Sequence, residues 1–208
     1  DMGETWLTAD GSVLDTPMTD RHCPALVRDY EAEGRLVYMK DINFDEDGHP
    51  VILVVTSTDH RPGPVGDPRS WEIARWTGYE WVFSEVTRST HNYAMGSLYI
   101  EGATWRVIGP TAAGPQRWGT GGEVASWISD DRGDTWRQER VLTSDSRYNH
   151  TYVRRPVDAQ SDFYAFWADG DPHAFSPSRP SFPNTACDSA LMLPPATPAD
   201  CAGQRRLA

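Results

Sequence analysis

The chain has 208 residues, with 19 Lys+Arg against 30 Asp+Glu and a formal net charge of −11. That balance excludes general nucleic-acid binding, which needs a dense positive surface. The longest apolar run, Val51 to Val55, is too short to span a bilayer. With 9 Trp, 8 Tyr, 17 Gly and 16 Pro, the composition is that of a turn-rich, all-β protein. No signal peptide is legible. Cys23, Cys187 and Cys201 show neither metal-ligand spacing nor a dense disulfide framework, and a Cys187–Cys201 bridge and free thiols fit equally well.

The first residues, Asp1-Met2-Gly3-Glu4-Thr5-Trp6, read Asp-x-Gly-x-Thr-Trp. This is the later part of a pattern that recurs whole at Ser129 to Trp136, so the chain reads as starting inside a hairpin, as a fragment of a longer repeat protein. After a polar loop holding His22 and Cys23, four strand-like runs follow: Val37 to Phe44, Pro50 to Thr56, Trp71 to Trp76 and Trp81 to Val86. A second set repeats the plan with Ala94 to Glu101, Thr104 to Gly109, Glu123 to Ile128 and Trp136 to Leu142, interrupted by the Gly/Pro-rich loop Pro110 to Gly122. A third begins with His150 to Val157 and Phe163 to Ala168. From Pro172 onward the composition turns to Pro, Ala and Ser, and strand-length alternation stops. Four short strands per repeat, with neighbours needed to bury both faces of each unit, predict a partial β-propeller.

The hairpin stretch reads Ser129-Asp130-Asp131-Arg132-Gly133-Asp134-Thr135-Trp136. Gly133 supplies a positive-φ position and Asp131 can fold its carboxylate onto the turn's N–H groups. The stretch resembles the Asp-box of the bacterial neuraminidase repeat in sialidase-like β-propellers. The resemblance implies two complete four-stranded blades (about 37–88 and 92–142), a third starting at 150, partial flanks, and a six- or seven-bladed parent. The composition shift at Pro172 divides the chain into a propeller part, 1–171, and an irregular tail, 172–208, and the missing blades imply that the piece by itself is inactive.

In a four-stranded blade the connections alternate between the two faces of the ring. His22, His60, His91, His150 and His173 then fall on one rim, together with Arg61, Tyr93, Arg117, Trp118, Tyr152, Arg154 and Arg155; His49 falls on the other. Period-2 alternation puts His150, Tyr152 and Arg154 on one side of their strand. A His and a Tyr beside an Arg suit β-elimination from a uronate: the base removes the C5 proton, an acid protonates the leaving oxygen, and Arg stabilises the enolate-like charge.

The segments His91-Asn92-Tyr93-Ala94-Met95-Gly96-Ser97-Leu98-Tyr99, Thr120-Gly121-Gly122-Glu123, Asn149-His150 and Phe163-Tyr164-Ala165-Phe166-Trp167-Ala168-Asp169-Gly170 look like a branch of these propellers similar to polysaccharide lyases acting on ulvan or rhamnose–glucuronate polymers. The resemblance implies a secreted or periplasmic protein with His91, Tyr93, His150 and Tyr152 as catalytic candidates and Arg154 against the uronate. Arg117, Trp118 and Trp167 complete the substrate-binding candidates, although Trp167 serves equally as a core residue between blades. The expected partner is an anionic polysaccharide or oligosaccharide, and nothing in the pattern calls for a cofactor. Asp169-Gly170-Asp171 is either a structural divalent-cation site or a solvated acidic turn. Two other functions fit. One is a retaining sialidase-like hydrolase using Tyr93 or Tyr152 with Glu123 and Asp41, although no Phe/Tyr-Arg-Ile-Pro motif is present. The other is a non-catalytic carbohydrate-binding propeller.

Overall fold

The structure is a computed structural model describing residues 3–160, 163–183 and, as backbone, 205–206. It is all-β: three four-stranded antiparallel sheets stacked as blades of a partial propeller. The first contains β1 (Leu36–Phe44), β2 (Pro50–Ser57), β3 (Arg69–Trp76) and β4 (Trp81–Ser89). The second contains β5 (Ser97–Glu101), β6 (Thr104–Ala112), β7 (Glu123–Ser129) and β8 (Arg137–Val141). The third contains β9 (Asn149–Arg154), β10 (Phe166–Gly170), β11 (Pro180–Phe182) and β12 (Arg205–Arg206). The two outer strands of the third sheet thus come from the segment read as an irregular tail. β11 is only three residues long and opens on a proline, a position a strand tolerates, so it leaves no period-2 signal. Cys187 and Cys201 lie outside the described residues; Cys23 is a free thiol. Among the described residues no helix is long and apolar enough to cross a membrane.

Two apolar cores hold the blades together, and the alternation of blade two decides which residues go to which core. Leu98, Trp105 and Val107 face blade one, where they meet Val51, Leu53, Val55, Trp71, Ile73 and Val86. Their sequence neighbours Tyr99 and Ile108, with Val124, face blade three and meet Val153, Ala165 and Trp167. Trp71 is fully buried, and its ring lies where side chains at Gly96 and Gly109 would otherwise stand: a Cβ on Gly96 would come within 2.6 Å of Trp71 Cζ3. Glycine at 96 is therefore what lets the two blades close on the indole.

The Ser129–Trp136 connection closes as its residue types dictate. Ser129 Oγ donates to Asp131 Oδ1 at 2.7 Å and accepts the Gly133 N–H at 2.8 Å. Asp131 also accepts the Thr135 N–H at 2.9 Å and the Thr135 hydroxyl. These bonds, the Thr135 hydroxyl first, hold the Asp131 carboxyl down at about 2. The Trp136 indole N–H donates to the Gly133 carbonyl at 3.1 Å and packs on the first core.

Candidate functional site

The innermost strands of all three blades meet at one rim. The Arg154 guanidinium on β9 donates to the Lys40 carbonyl on β1 at 3.4 Å, and Lys40 Nζ donates to the Asn92 carbonyl, just before β5, at 2.6 Å. Tyr93 donates its hydroxyl to the His60 carbonyl at 3.2 Å and sets its ring against Tyr38, centroids 5.4 Å apart. A cleft of about 100 Å³ opens here, lined by Pro62, His91, Tyr93, Trp118, Pro172 and His173 among others. Its wall is built from four loops: β2–β3, β4–β5, β6–β7 and the one after β10. Of the residues expected at a site, His91, Tyr93 and Trp118 share this cleft, with His173 beside them.

His91 is 4 % exposed, and its Nε2 lies 3.1 Å from the Pro110 carbonyl. A carbonyl only accepts, so Nε2 carries the proton and Nδ1 presents a lone pair. That Nδ1 is buried and has no hydrogen-bond partner. Burial is the chief cause that lowers the His91 pKa to about 4, with the charges of Lys40 and Arg69 adding to it against the pull of the Pro110 carbonyl. The imidazole is thus neutral at neutral pH, held by one nitrogen and unoccupied at the other. Tyr93, by contrast, is half exposed, and burial followed by Tyr38 raises its pKa, so it keeps its proton.

His150 repeats the arrangement at another place. Its Nε2 is 2.8 Å from Ser146 Oγ, whose own proton goes to Glu123 at 2.8 Å, so Nε2–H is again the donor and Nδ1 again the unpartnered atom. Burial lowers the His150 pKa, and Glu123 opposes it. The ring sits edge-on to Trp167 at 6.3 Å in the second core. His150 therefore stands beneath the rim rather than in the His91 cleft.

Two sequence expectations are corrected. His150, Tyr152 and Arg154 do not share one side of β9, because Ala168 pairs with Thr151 while Phe166 pairs with Arg154, which leaves one extra residue on β9. Tyr152 takes φ 62 at this bulge and swings out to 60 % exposure, its ring 5.1 Å from the Arg154 guanidinium. Trp167, at 1 % exposure, is a core residue and offers no face to a sugar. Arg117 is exposed and lies over the Trp118 ring at 4.9 Å, with the Arg69 guanidinium 5.8 Å from the same ring. The loop bearing Trp118 is clasped by Asn149, which bonds to Gln116 through its backbone N–H and both side-chain ends, and donates to the Thr120 carbonyl.

The two carboxylates nominated for a sialidase are spent on structure. Glu123 accepts from Thr143 and from both the N–H and hydroxyl of Ser146, and Asp41 accepts the Leu98 N–H at 2.8 Å. Asp169 and Asp171 likewise accept the Arg179 and His173 N–H groups, at 2.7 and 2.9 Å. Among the described residues, the acidic grouping compact enough for a cation is Asp45, Asp47 and His49, in the β1–β2 turn on the other face. Asp45 there already accepts the Asp47 and His49 N–H groups.

Sequence reasoning passed over Lys40 and Tyr38. Lys40 is the single lysine among 19 basic residues, and it stands inside an otherwise strand-patterned run. That was the available signal.

No family model matches the chain, and no curated protein does. Among solved structures the chain is similar to an ulvan lyase of the polysaccharide lyase family PL25, with TM-score 0.63 and 15% identity over 87% of this chain. It is similar also to a PL25 ulvan lyase bound to -[GlcA(1-4)Rha3S]-, with TM-score 0.64 and 16% identity. The chain spans 40% of the length of each of those chains. At this identity the likeness is one of fold.

Proposed function

We propose that this chain is part of a carbohydrate-active propeller, a polysaccharide lyase that cleaves a uronic-acid-containing polysaccharide by β-elimination. The observation that carries the reading is His91. Its Nε2–H is fixed on a backbone carbonyl and its Nδ1 lone pair is left without a donor, in a cleft shared with a protonated tyrosine. Nδ1 is closed to solvent in the empty site, so the β4–β5 and β6–β7 loops must part on substrate binding. His91 Nδ1 then takes the C5 proton of the uronate, and the C–H electrons form the C4=C5 double bond through an enolate-like carboxylate. The C4–O bond breaks, and Tyr93 gives its proton to the departing oxygen. Return of the proton from His91 to Tyr93 restores both groups, and no water is consumed. Arg154 faces the carboxylate, whose charge grows as the proton leaves. An imidazole with its pKa near 4 is a weak base in the empty site. A bound carboxylate offsets the Lys40 and Arg69 charges that depress it and raises its basicity when substrate is present. Similarity in fold to ulvan lyases supports this substrate class. A secreted or periplasmic location belongs to the same reading.

The test is absorbance at about 235 nm, where the unsaturated uronate product absorbs, for the intact protein on a glucuronate-containing polysaccharide. Signal that is lost, by at least about 100-fold, in His91→Gln and in Tyr93→Phe supports the assignment. Full activity in either variant removes that residue from the mechanism. A second reading, a non-catalytic carbohydrate-binding propeller, is favoured by two exposed rings that can serve as stacking platforms, Tyr152 beside Arg154 and Tyr93 at the cleft. Saturable binding of the polysaccharide with no absorbance change in the intact protein selects it.

A further inference from the structure

All but one of the chain's 19 basic residues are arginine, and the exception, Lys40, is buried at 5 % exposure. Arginine stays charged and forks onto carboxylates, whereas lysine is a compact charge that gives up its proton when buried. Elsewhere the buried and half-buried arginines keep acids close: Arg69 has Asp67 at 2.5 Å, and Arg106 has Glu101 at 2.7 Å and Glu139 at 3.1 Å. Lys40 has none among the described residues. Its ammonium has three protons to donate, and the hydrogen bond it makes is to the Asn92 carbonyl. The charge that bears on it is of the same sign, that of Arg154, which also has no carboxylate partner among the described residues.

Every element around Lys40 contributes to its field. From β1 itself the Tyr38 ring lies 5.3 Å from Nζ, and Asp41 is turned away onto the Leu98 N–H. The β4–β5 loop brings the Asn92 carbonyl and His91, and β9 brings Arg154; Arg69 on β3 acts on the same His91. Burial first, then Arg154, lowers the Lys40 pKa to about 8. In a chain carrying a net charge of −11, two neighbouring cations without an acid among the described residues leave a local excess of positive charge that an anion would offset.

The geometry points to an oxyanion subsite held by Lys40 together with the Arg154 guanidinium, which takes the carboxylate or sulfate ester of an acidic oligosaccharide and binds it together with a proton on Lys40. The subsite rests on the reading of this rim as a carbohydrate site, though not on catalysis there. The anion supplies the missing acceptor and counter-charge, so Lys40 stays protonated when the site is filled. Above about pH 8, where the free protein loses that proton, affinity falls, approaching tenfold per pH unit until the pKa of the complex is reached.

Because Lys40 is the only lysine, lysine labelled with ¹³C at Cε gives one side-chain resonance to follow. The chain is titrated from about pH 6 to about pH 11 alone and with saturating oligoglucuronate, a sulfated oligosaccharide without uronate, or a neutral oligosaccharide. The midpoint is expected near 8 in the free chain and at least about one unit higher with an acidic ligand, with no movement on adding the neutral one. The arm that moves it identifies carboxylate or sulfate as the group held. Lys40→Met weakens binding by at least about tenfold, while Lys40→Arg retains binding and loses the decline above pH 8. A free midpoint near the ordinary lysine value, a midpoint that no acidic ligand moves, or absence of binding by both acidic ligands overturns the subsite. A raised midpoint with no unsaturated product leaves the subsite standing and overturns the lyase. Product formation without a raised midpoint does the reverse.

Discussion

Burial keeps His91 neutral, and the same burial makes the fold sensitive to acid. The folded pKa, about 4, lies below the ordinary histidine value of 6.5, so the unfolded chain binds the extra proton between these limits. The penalty is absent above pH 6.5, grows as pH falls, and is complete below pH 4, where it reaches about 3 kcal/mol. His91→Gln is therefore expected to flatten the stability–pH profile of denaturant unfolding in that window relative to the native chain; parallel profiles would contradict the burial argument. Lys40 works in the opposite range. Its folded pKa is depressed, so stability rises as pH climbs from about 8 toward 10.5, and below pH 8 the buried charge is a standing cost. Lys40→Met is expected to stabilise the fold by about 2 kcal/mol at neutral pH while it weakens anion binding. Destabilisation would mean that the Asn92 hydrogen bond outweighs the charge. Residue identities announced His91 and Tyr93, whose placement follows from the order of loops around a blade. They did not announce which way Tyr152 points, because one inserted residue in β9 reverses the alternation, and that register depends on the partner strand, β10.

At the scale of the element, a four-residue word, Gly-x-Thr-Trp, marks the hairpin ends. It occurs at Gly3–Trp6, Gly102–Trp105 and Gly133–Trp136, and in each the indole N–H donates to the carbonyl of its own glycine, at 3.1, 3.2 and 3.1 Å. All three glycines have positive φ: 90, 64 and 87. The full eight-residue pattern stands out in the sequence only once, so the middle copy goes unmarked by it. Gly133 is the most constrained of the three, because a Cβ there would meet Trp105 ring carbons at 2.6 Å. Gly133→Ala is expected to lower stability by about 2 kcal/mol and the melting temperature by roughly 4–8 °C, with no change in ligand affinity at the opposite rim. An unchanged melting temperature would show that the turn is not strained as drawn. The strands themselves were legible wherever two or more of them alternate. β11 and β12 were not, being three and two residues long and placed by pairing alone.

At the scale of the molecule, blades one and two are joined through a core of side chains, with Trp71 the residue on which that joint turns, whereas blades two and three add a backbone bridge between Gly122 and His150. Gly96→Val drives a side chain into that indole and toward the Ile108 carbonyl. It is expected to cost about 3 kcal/mol. Amide exchange should speed up in β3 and β6 while β10, on the far core, is less affected. Uniform loss of protection would mean that the three blades unfold as one unit. The stacking also makes the site, since Lys40, Asn92 and Arg154 come from three successive blades and meet only when those are in register. That meeting was foreseeable from propeller geometry, but the part Lys40 plays in it was not, because a single lysine in a strand says nothing of its burial until the neighbouring blade is placed. The most direct test of the proposed chemistry is the absorbance at about 235 nm generated by the intact protein from a glucuronate-containing polysaccharide, compared with that of His91→Gln. The account predicts a steady rise for the native protein and none for the variant. A flat trace for a natively folded, polysaccharide-binding protein, or an equal rise in both, would contradict it.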